Sequence, residues 1–212
     1  ASVVERLIRE HTVRHVFTAR DVTPFARERE KSIAETCVRC GAAFTAGKGI
    51  LIDDPDLFLK KDGTPYTVFT PFFRSASSKP VADPLPVPDV RYSTDRIDFE
   101  CDAGFFDSIS ESLPYNDPSF TGGRHAAETI LSGIGRFTSY GALRDYPADR
   151  ATTLLSAHLK FGTVSPRETI HAMRRNLGDN HPLIRQIYWR EFFTAIAFRF
   201  PYVFGGAWRQ KY

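Results

Sequence analysis

Hydroxyl, guanidinium and aromatic side chains gather in two stretches in the C-terminal third of the chain. The first runs through Tyr140-Gly-Ala-Leu-Arg144-Asp145 to Thr152-Thr153-Leu154-Leu155-Ser156. It places three hydroxyls at the opening of a short helix ended by Gly162, with a ring and a guanidinium shortly upstream. Free amides and hydroxyls at a helix start, aided by the dipole, suit a phosphate or diphosphate. The same residues also suit plain N-capping by Thr152 or Thr153 and a surface pairing of Arg144 with Asp145.

The second stretch is the helix expected from Pro182 to Phe200, stopped by Pro201. Gln186, Trp189, Arg190, Phe193 and Ala197 recur at helical intervals and share one side, leaving Ile184, Tyr188, Phe192, Ala195 and Ile196 for the core. An indole stacks on a base, an amide reads base edges and an arginine holds a phosphate, which are the needs of a surface that receives a displaced nucleotide. The alternative is that Trp189 and Phe193 bury against a larger helical domain while Arg190 pairs with a carboxylate.

Other elements must position these two stretches. Val3, Val4, Leu7 and Ile8 repeat at helical spacing, and Val13 to Ala19 reads as a buried strand. Pro24 can open a helix reaching about Cys40, and Gly49-Ile50-Leu51-Ile52 reads as a second short strand ended by Asp53-Asp54-Pro55. This alternation implies a parallel sheet covered by helices, and two strands alone make no stable open sheet, so the chain reads as starting within a domain. Pro80, Pro84, Pro86, Pro88, Pro114 and Pro118 break up residues 77–121, which read as an interdomain linker. Beyond Gly122-Gly123, Ala126, Ala127, Ile130, Leu131 and Ile134 form a helical apolar stripe that fades near Gly135 to Ser139. Ser165-Pro166-Arg167-Glu168 then combines an N-cap serine, proline at the first helical position and a glutamate placed to close a capping box. Ile170, Met173 and Leu177 make the buried face of that helix, and Gly178 ends it.

The composition is globular, with 42% hydrophobic and 25% charged residues in 212, and no apolar run approaches a membrane span. The start lacks a basic segment followed by an apolar core, so no signal peptide is expected. Three cysteines make an odd count that points to a reducing compartment, cytoplasm or a eukaryotic nucleus. The net charge of +3 is unevenly placed: from Tyr140 onward eleven Lys/Arg face five Asp/Glu, whereas seventeen face twenty before it. A basic half suits a polyanionic partner, although a basic helical face can equally be merely solvated. Cys37-Val-Arg-Cys40 has no second pair at zinc spacing and reads as ordinary thiols, so no metal is expected. His125, His158 and His171 read as surface or packing residues, Trp208 as packing, and Gly47-Lys48-Gly49 lacks the remainder of a P-loop.

Tyr-x-x-x-Arg-Asp-x-Pro from Tyr140, Thr-Thr-x-Leu-Ser from Thr152, Phe-Gly-x-Val-Ser-x-Arg from Phe161 and Trp-Arg-Glu-Phe from Trp189 resemble, in order and spacing, blocks of the photolyase and cryptochrome family. Upstream, Tyr66 to Arg74 resembles the end of that family's antenna domain, and Arg20 to Arg27 its loop and helix. The resemblance implies an α/β-then-all-α fold. Residues 1–76 would be the C-terminal part of a parallel-sheet antenna domain, 77–121 a long Pro-rich linker, and 122–212 the first part of a helical FAD-binding domain. It implies FAD as cofactor, with Tyr140, Thr152, Thr153, Leu154, Leu155 and Ser156 contacting its phosphates and ribityl chain. A folate or deazaflavin antenna is a further expectation.

Damaged DNA with a flipped-out pyrimidine dimer is the implied partner of a monomer without a membrane. Arg144 and Arg190 would meet phosphates, Trp189 would stack on the dimer, and Gln186 would lie between flavin and substrate. The implied activity is light-driven dimer repair by electron transfer from reduced FAD, that is, a deoxyribodipyrimidine photo-lyase. The competing classes are a cryptochrome-type light sensor and a DNA-binding module without flavin. Thr153 stands where serine is common, and Gln186 where many cyclobutane-dimer photolyases have a glutamate; glutamine hydrogen-bonds without charge and leaves the dimer type open. The family's adenine-side contacts and relaying tryptophans would fall beyond Tyr212. No catalytic residue is therefore assigned within the chain, and these residues alone are expected to bind flavin poorly and to be inactive.

Overall fold

In a computed structural model, residues 2–47, 49–86, 89–94, 104, 107–109 and 120–208 are described. Lys48, Pro88, Pro114 and Pro118, named above, lie outside them. Helix α1 (Ser2–Glu10) leads into strand β1 (His15–Ala19), helix α2 (Pro24–Arg39) and strand β2 (Ala43–Gly47). The strands pair in parallel, His15 opposite Ala43 through Ala19 opposite Gly47. Parallel neighbours need a crossover, and α2 supplies it. Pro24 starts α2 as expected, with the Thr23 hydroxyl accepting from the Ala26 amide.

Two strand expectations need correction. β1 is not buried throughout: Val16 and Phe44 pack beside Ile8, Cys37 and Ala42 under the helices, while Phe17 on the opposite face is 70% exposed. There the His15 ring stacks on Phe17 at 3.9 Å and His15 Nε2 lies 2.8 Å from Thr45 Oγ1 across the strands. Alternation along a strand sends successive side chains to opposite faces, and helices cover only one of them. Nor do Gly49 to Ile52 form a strand; the second strand is Ala43–Gly47 instead. Leu51 and Ile52 are buried, but the Ile52 peptide spends its polar groups on side chains: its N–H donates to Glu191 Oε2 at 3.0 Å and its carbonyl accepts from Arg167 Nε at 2.8 Å. Those bonds take the groups that a sheet ladder would need.

A short 3₁₀ turn (Pro55–Leu57) precedes helix α3 (Phe69–Ser77). After residues 78–86 and 89–94, which have no regular structure, come α4 (Arg124–Ser132), a 3₁₀ turn (Ile134–Phe137) and the single turn α5 (Tyr140–Leu143). Then follow α6 (Leu155–Phe161), α7 (Pro166–Leu177) and α8 (Pro182–Arg199). Ser165 caps α7 by accepting from the Glu168 amide at 3.1 Å, but the reciprocal half of the capping box is missing. The Glu168 carboxylate instead takes both terminal nitrogens of Arg124, which holds it below the usual carboxylate range and ties α7 to α4.

The larger core joins both halves of the chain. Ile52, Phe58, Phe69, Phe72, Ala76 and Val81 are buried together with Leu131, Ile134, Ile170, Met173, Tyr188, Phe192 and Ile196. Phe72, 1% exposed, meets Phe58 and Phe192 at ring separations of 5.4 and 5.3 Å, and a ring this buried contributes about 3 kcal/mol of transfer free energy. The segment after α3 also adheres to this body: Lys79 Nζ donates to the Leu57 carbonyl at 2.7 Å, and His171 Nε2 lies 3.2 Å from the Ala82 carbonyl. Helix α8 thus has α3 along one side and α5 and α7 along others, and that arrangement positions the site.

Candidate functional site

The turn at Leu154 is where the first chemical stretch takes shape. Leu154 adopts a left-handed conformation at φ 55°, unusual for a branched residue, and serves as the N-cap of α6 without a side-chain cap. Thr153 Oγ1 accepts from the Leu155 amide at 3.4 Å, while Thr152 and Ser156 present their hydroxyls at the exposed opening. Gly162, at φ 69°, ends the helix seven residues on, where a left-handed cap is easiest for glycine.

Tyr140, 8% exposed, stands across from this turn on α5, and helix α8 closes the gap with Leu183, Gln186, Ile187 and Arg190. Together with Leu155, Leu159 and Met173 these groups surround a cavity of about 500 Å³. Its apolar walls suit a flat heteroaromatic group, whereas the hydroxyls, the Gln186 amide and the Arg190 guanidinium gather polar partners at its edge. Among the described residues Arg190 is the one charged group in that lining. Its Nη1 donates to Glu191 Oε1 at 3.1 Å and its Nη2 to the Leu159 carbonyl at 3.4 Å, so it bridges α8 to α6.

Eight of the ten residues singled out in the sequence therefore line one cavity: Tyr140, Thr152, Thr153, Leu154, Leu155, Ser156, Gln186 and Arg190. The other two lie apart from it. Arg144 is exposed, with Nε 3.7 Å from Asp145 Oδ1. Trp189 turns toward α3 and stacks on Phe69 at a centroid separation of 3.5 Å and an interplanar angle of 7°. Phe193, 61% exposed, continues this ring cluster at 5.5 Å from Trp189, and Arg185 lies over Phe69 and Phe73 at 5.1 and 5.0 Å. The side of α8 that the sequence presents as one face is split between a cavity wall and an aromatic ridge.

Residues 1–89 match the DNA photolyase family model. A deoxyribodipyrimidine photo-lyase of Agrobacterium fabrum is 27% identical over 99% of this chain and 46% of its own length. The structure of a bacterial class III photolyase from Agrobacterium tumefaciens superposes with a TM-score of 0.76 at 25% identity, over 98% of this chain and 45% of that one. An archaeal photolyase from Sulfolobus tokodaii, solved with two FAD molecules, gives a TM-score of 0.74 at 28% identity over 99% and 45%. The chain is similar to photolyases along nearly its whole length. It spans about half the length of the curated relatives it matches.

The observed fold is a small parallel sheet followed by mostly helical structure, as in those photolyase structures. No helix among the described residues is long and apolar enough to cross a membrane. His158 is 2% exposed with Nδ1 2.9 Å from Thr163 Oγ1, so it packs, and His125 is exposed. Cys37 is buried, which pushes its thiol pKa up.

The residue that sequence reasoning passed over is Glu191. It is 2% exposed, and burial pushes its carboxyl pKa up to about 7 against the pull of Arg190 and the Ile52 amide. A signal was present, because Glu191 is the only acidic residue between Pro182 and Arg199 and stands directly before Phe192-Phe193. A lone carboxylate beside core positions needs partners to be buried. Leu159, Leu183 and Ile187 also line the cavity, and nothing but their hydrophobicity marked them.

Proposed function

We propose that this cavity forms part of a FAD site and that the protein is a deoxyribodipyrimidine photo-lyase, repairing pyrimidine dimers in DNA under light. The observation that carries the proposal is the convergence of Tyr140, Thr152 to Ser156, Gln186 and Arg190 around one cavity of about 500 Å³. Relatives named deoxyribodipyrimidine photo-lyase align along nearly the whole chain, and the archaeal neighbour carries FAD, which supports the same reading.

The residues present fit such a cofactor. Leu155, Leu159, Met173 and Ile187 supply an apolar wall that excludes water from a flat ring, and Tyr140 adds an aromatic surface. Thr152, Thr153, Ser156 and Arg190 offer hydroxyls and a cation for a diphosphate and its sugar chain, and Gln186 offers an amide that donates and accepts. Bound and reduced, the flavin would supply the light-driven electron. The chain's own share is to hold that group and to receive DNA. Arg144 and Arg185 offer phosphate contacts, and Trp189 with Phe193 offers rings to a displaced base.

The test uses the full-length protein, FAD and an oligonucleotide carrying thymine dimers. Visible light with a reductant should restore the thymines, and Thr152→Val with Ser156→Ala should weaken FAD binding while the fold is kept. Bound flavin without repair would overturn the lyase reading and leave a light sensor; no flavin at all would leave a DNA-binding module.

A further inference from the structure

We propose that Glu191 is the positioning residue of this cavity: one of its carboxylate oxygens aims the Arg190 guanidinium at the cavity wall, and the other fastens that wall to the 50–54 loop. The inference rests on the flavin reading for the identity of the ligand, but the device itself is a matter of geometry. Oε1 accepts from Arg190 Nη1 at 3.1 Å and Oε2 from the Ile52 amide at 3.0 Å. Arg190 reaches onward to the Leu159 carbonyl at 3.4 Å, so its guanidinium is held from two sides where it lines the cavity. The Ile52 carbonyl is in turn taken by Arg167 Nε at 2.8 Å. A single residue is thus gripped through both its N–H and its carbonyl, by α8 and by α7.

A carboxylate is acceptor-only, which is what two N–H donors require. Once protonated, one of its oxygens carries a hydrogen, loses the charge and becomes a weaker acceptor, so the acid form loosens its hold on Arg190 or on Ile52. The charged and titratable groups around the joint are Arg190 and Tyr188 on α8, Asp53 on the loop, and Arg167 on α7 one peptide away. Burial and Asp53 oppose ionisation, while Arg190 and the Ile52 amide favour it. The joint is therefore poised to loosen when the protein takes up one proton. Loosening would let the guanidinium leave the place where an anionic ligand in the cavity meets it, so binding weakens as the proton is taken up.

The test is made on the full-length protein with selectively ¹⁵N-labelled isoleucine. The Ile52 amide, assigned by Ile52→Val, should shift with a single titration near neutral pH in the wild type and stay flat in Glu191→Gln. FAD affinity should fall about tenfold between roughly pH 8 and pH 6, the limit for one linked proton, and lose that slope in Glu191→Gln. An Ile52 amide that does not titrate, or a variant with wild-type affinity and slope, overturns the positioning role. If the wild type binds no FAD at any pH, the flavin reading fails instead, and the Ile52 titration still decides the role of Glu191.

Discussion

Replacing Trp189 with alanine separates the two sides of α8. The indole is half-buried and parallel to Phe69 at 3.5 Å, with Phe193 at 5.5 Å, so truncation removes packing as well as a possible stacking surface. A fully buried aromatic costs about 3–5 kcal/mol to truncate, and partial exposure brings the expected loss to about 2 kcal/mol. Phe69 already occupies one face of the ring. A base has at most the other, and the loss in binding to damaged DNA should be that of one stacking contact, about 1–3 kcal/mol or roughly 5- to 150-fold in affinity. Trp189 is absent from the cavity lining, so FAD affinity should stay within about twofold while the protein is folded. Urea unfolding, fluorescence anisotropy with dimer-containing DNA and flavin titration measure the three quantities separately. The reasoning is refuted if Trp189→Ala, still folded, loses flavin while keeping its affinity for damaged DNA.

Further outcomes follow from buried polar groups and caps. The Tyr188 hydroxyl is buried with no hydrogen-bond partner among the described residues, and burial raises its pKa; Tyr188→Phe should stabilise the protein by about 1 kcal/mol, seen as a higher urea midpoint at unchanged slope, and a clear loss would show that the hydroxyl has a partner. Glu191 takes up its proton more readily folded than unfolded, since its carboxyl stands near 7 against an ordinary value of about 4.3. The stability it contributes is therefore present at low pH and is lost as pH rises between those values, on the order of 3 kcal/mol, and Glu191→Gln should remove that slope from pH-dependent unfolding curves. Ser165→Ala removes the cap on α7 and should cost about 1 kcal/mol; no change in the urea midpoint would mean that the Glu168–Arg124 pairing alone holds that helix start.

Local chemistry in the sequence was enough to place most helices. Thr23-Pro24, Ser165-Pro166 and His181-Pro182 mark starts because proline suits the first helical position, and Gly178 marks an end because glycine reaches φ 87° without strain. Hydroxyls at the opening of α6 and the amide and guanidinium at Gln186 and Arg190 were also legible, since their spacing is set within a few turns of chain. What lay beyond local reach was which groups meet across the fold. The 50–52 segment is apolar enough for a strand, and only Glu191 and Arg167, more than a hundred residues away, take its backbone groups and bend it.

Helical periodicity likewise puts Gln186, Trp189 and Arg190 on one side of α8, but it cannot say what packs there. The Phe69 ring takes Trp189, and the turn at Leu154 takes Gln186 and Arg190 into its cavity. The sequence alone determined which residues could bind and on which elements they sit. Tertiary structure decided which of them share a cavity and which carboxylate is buried beside it, because burial and long-range hydrogen bonds depend on neighbours that only the folded chain brings together.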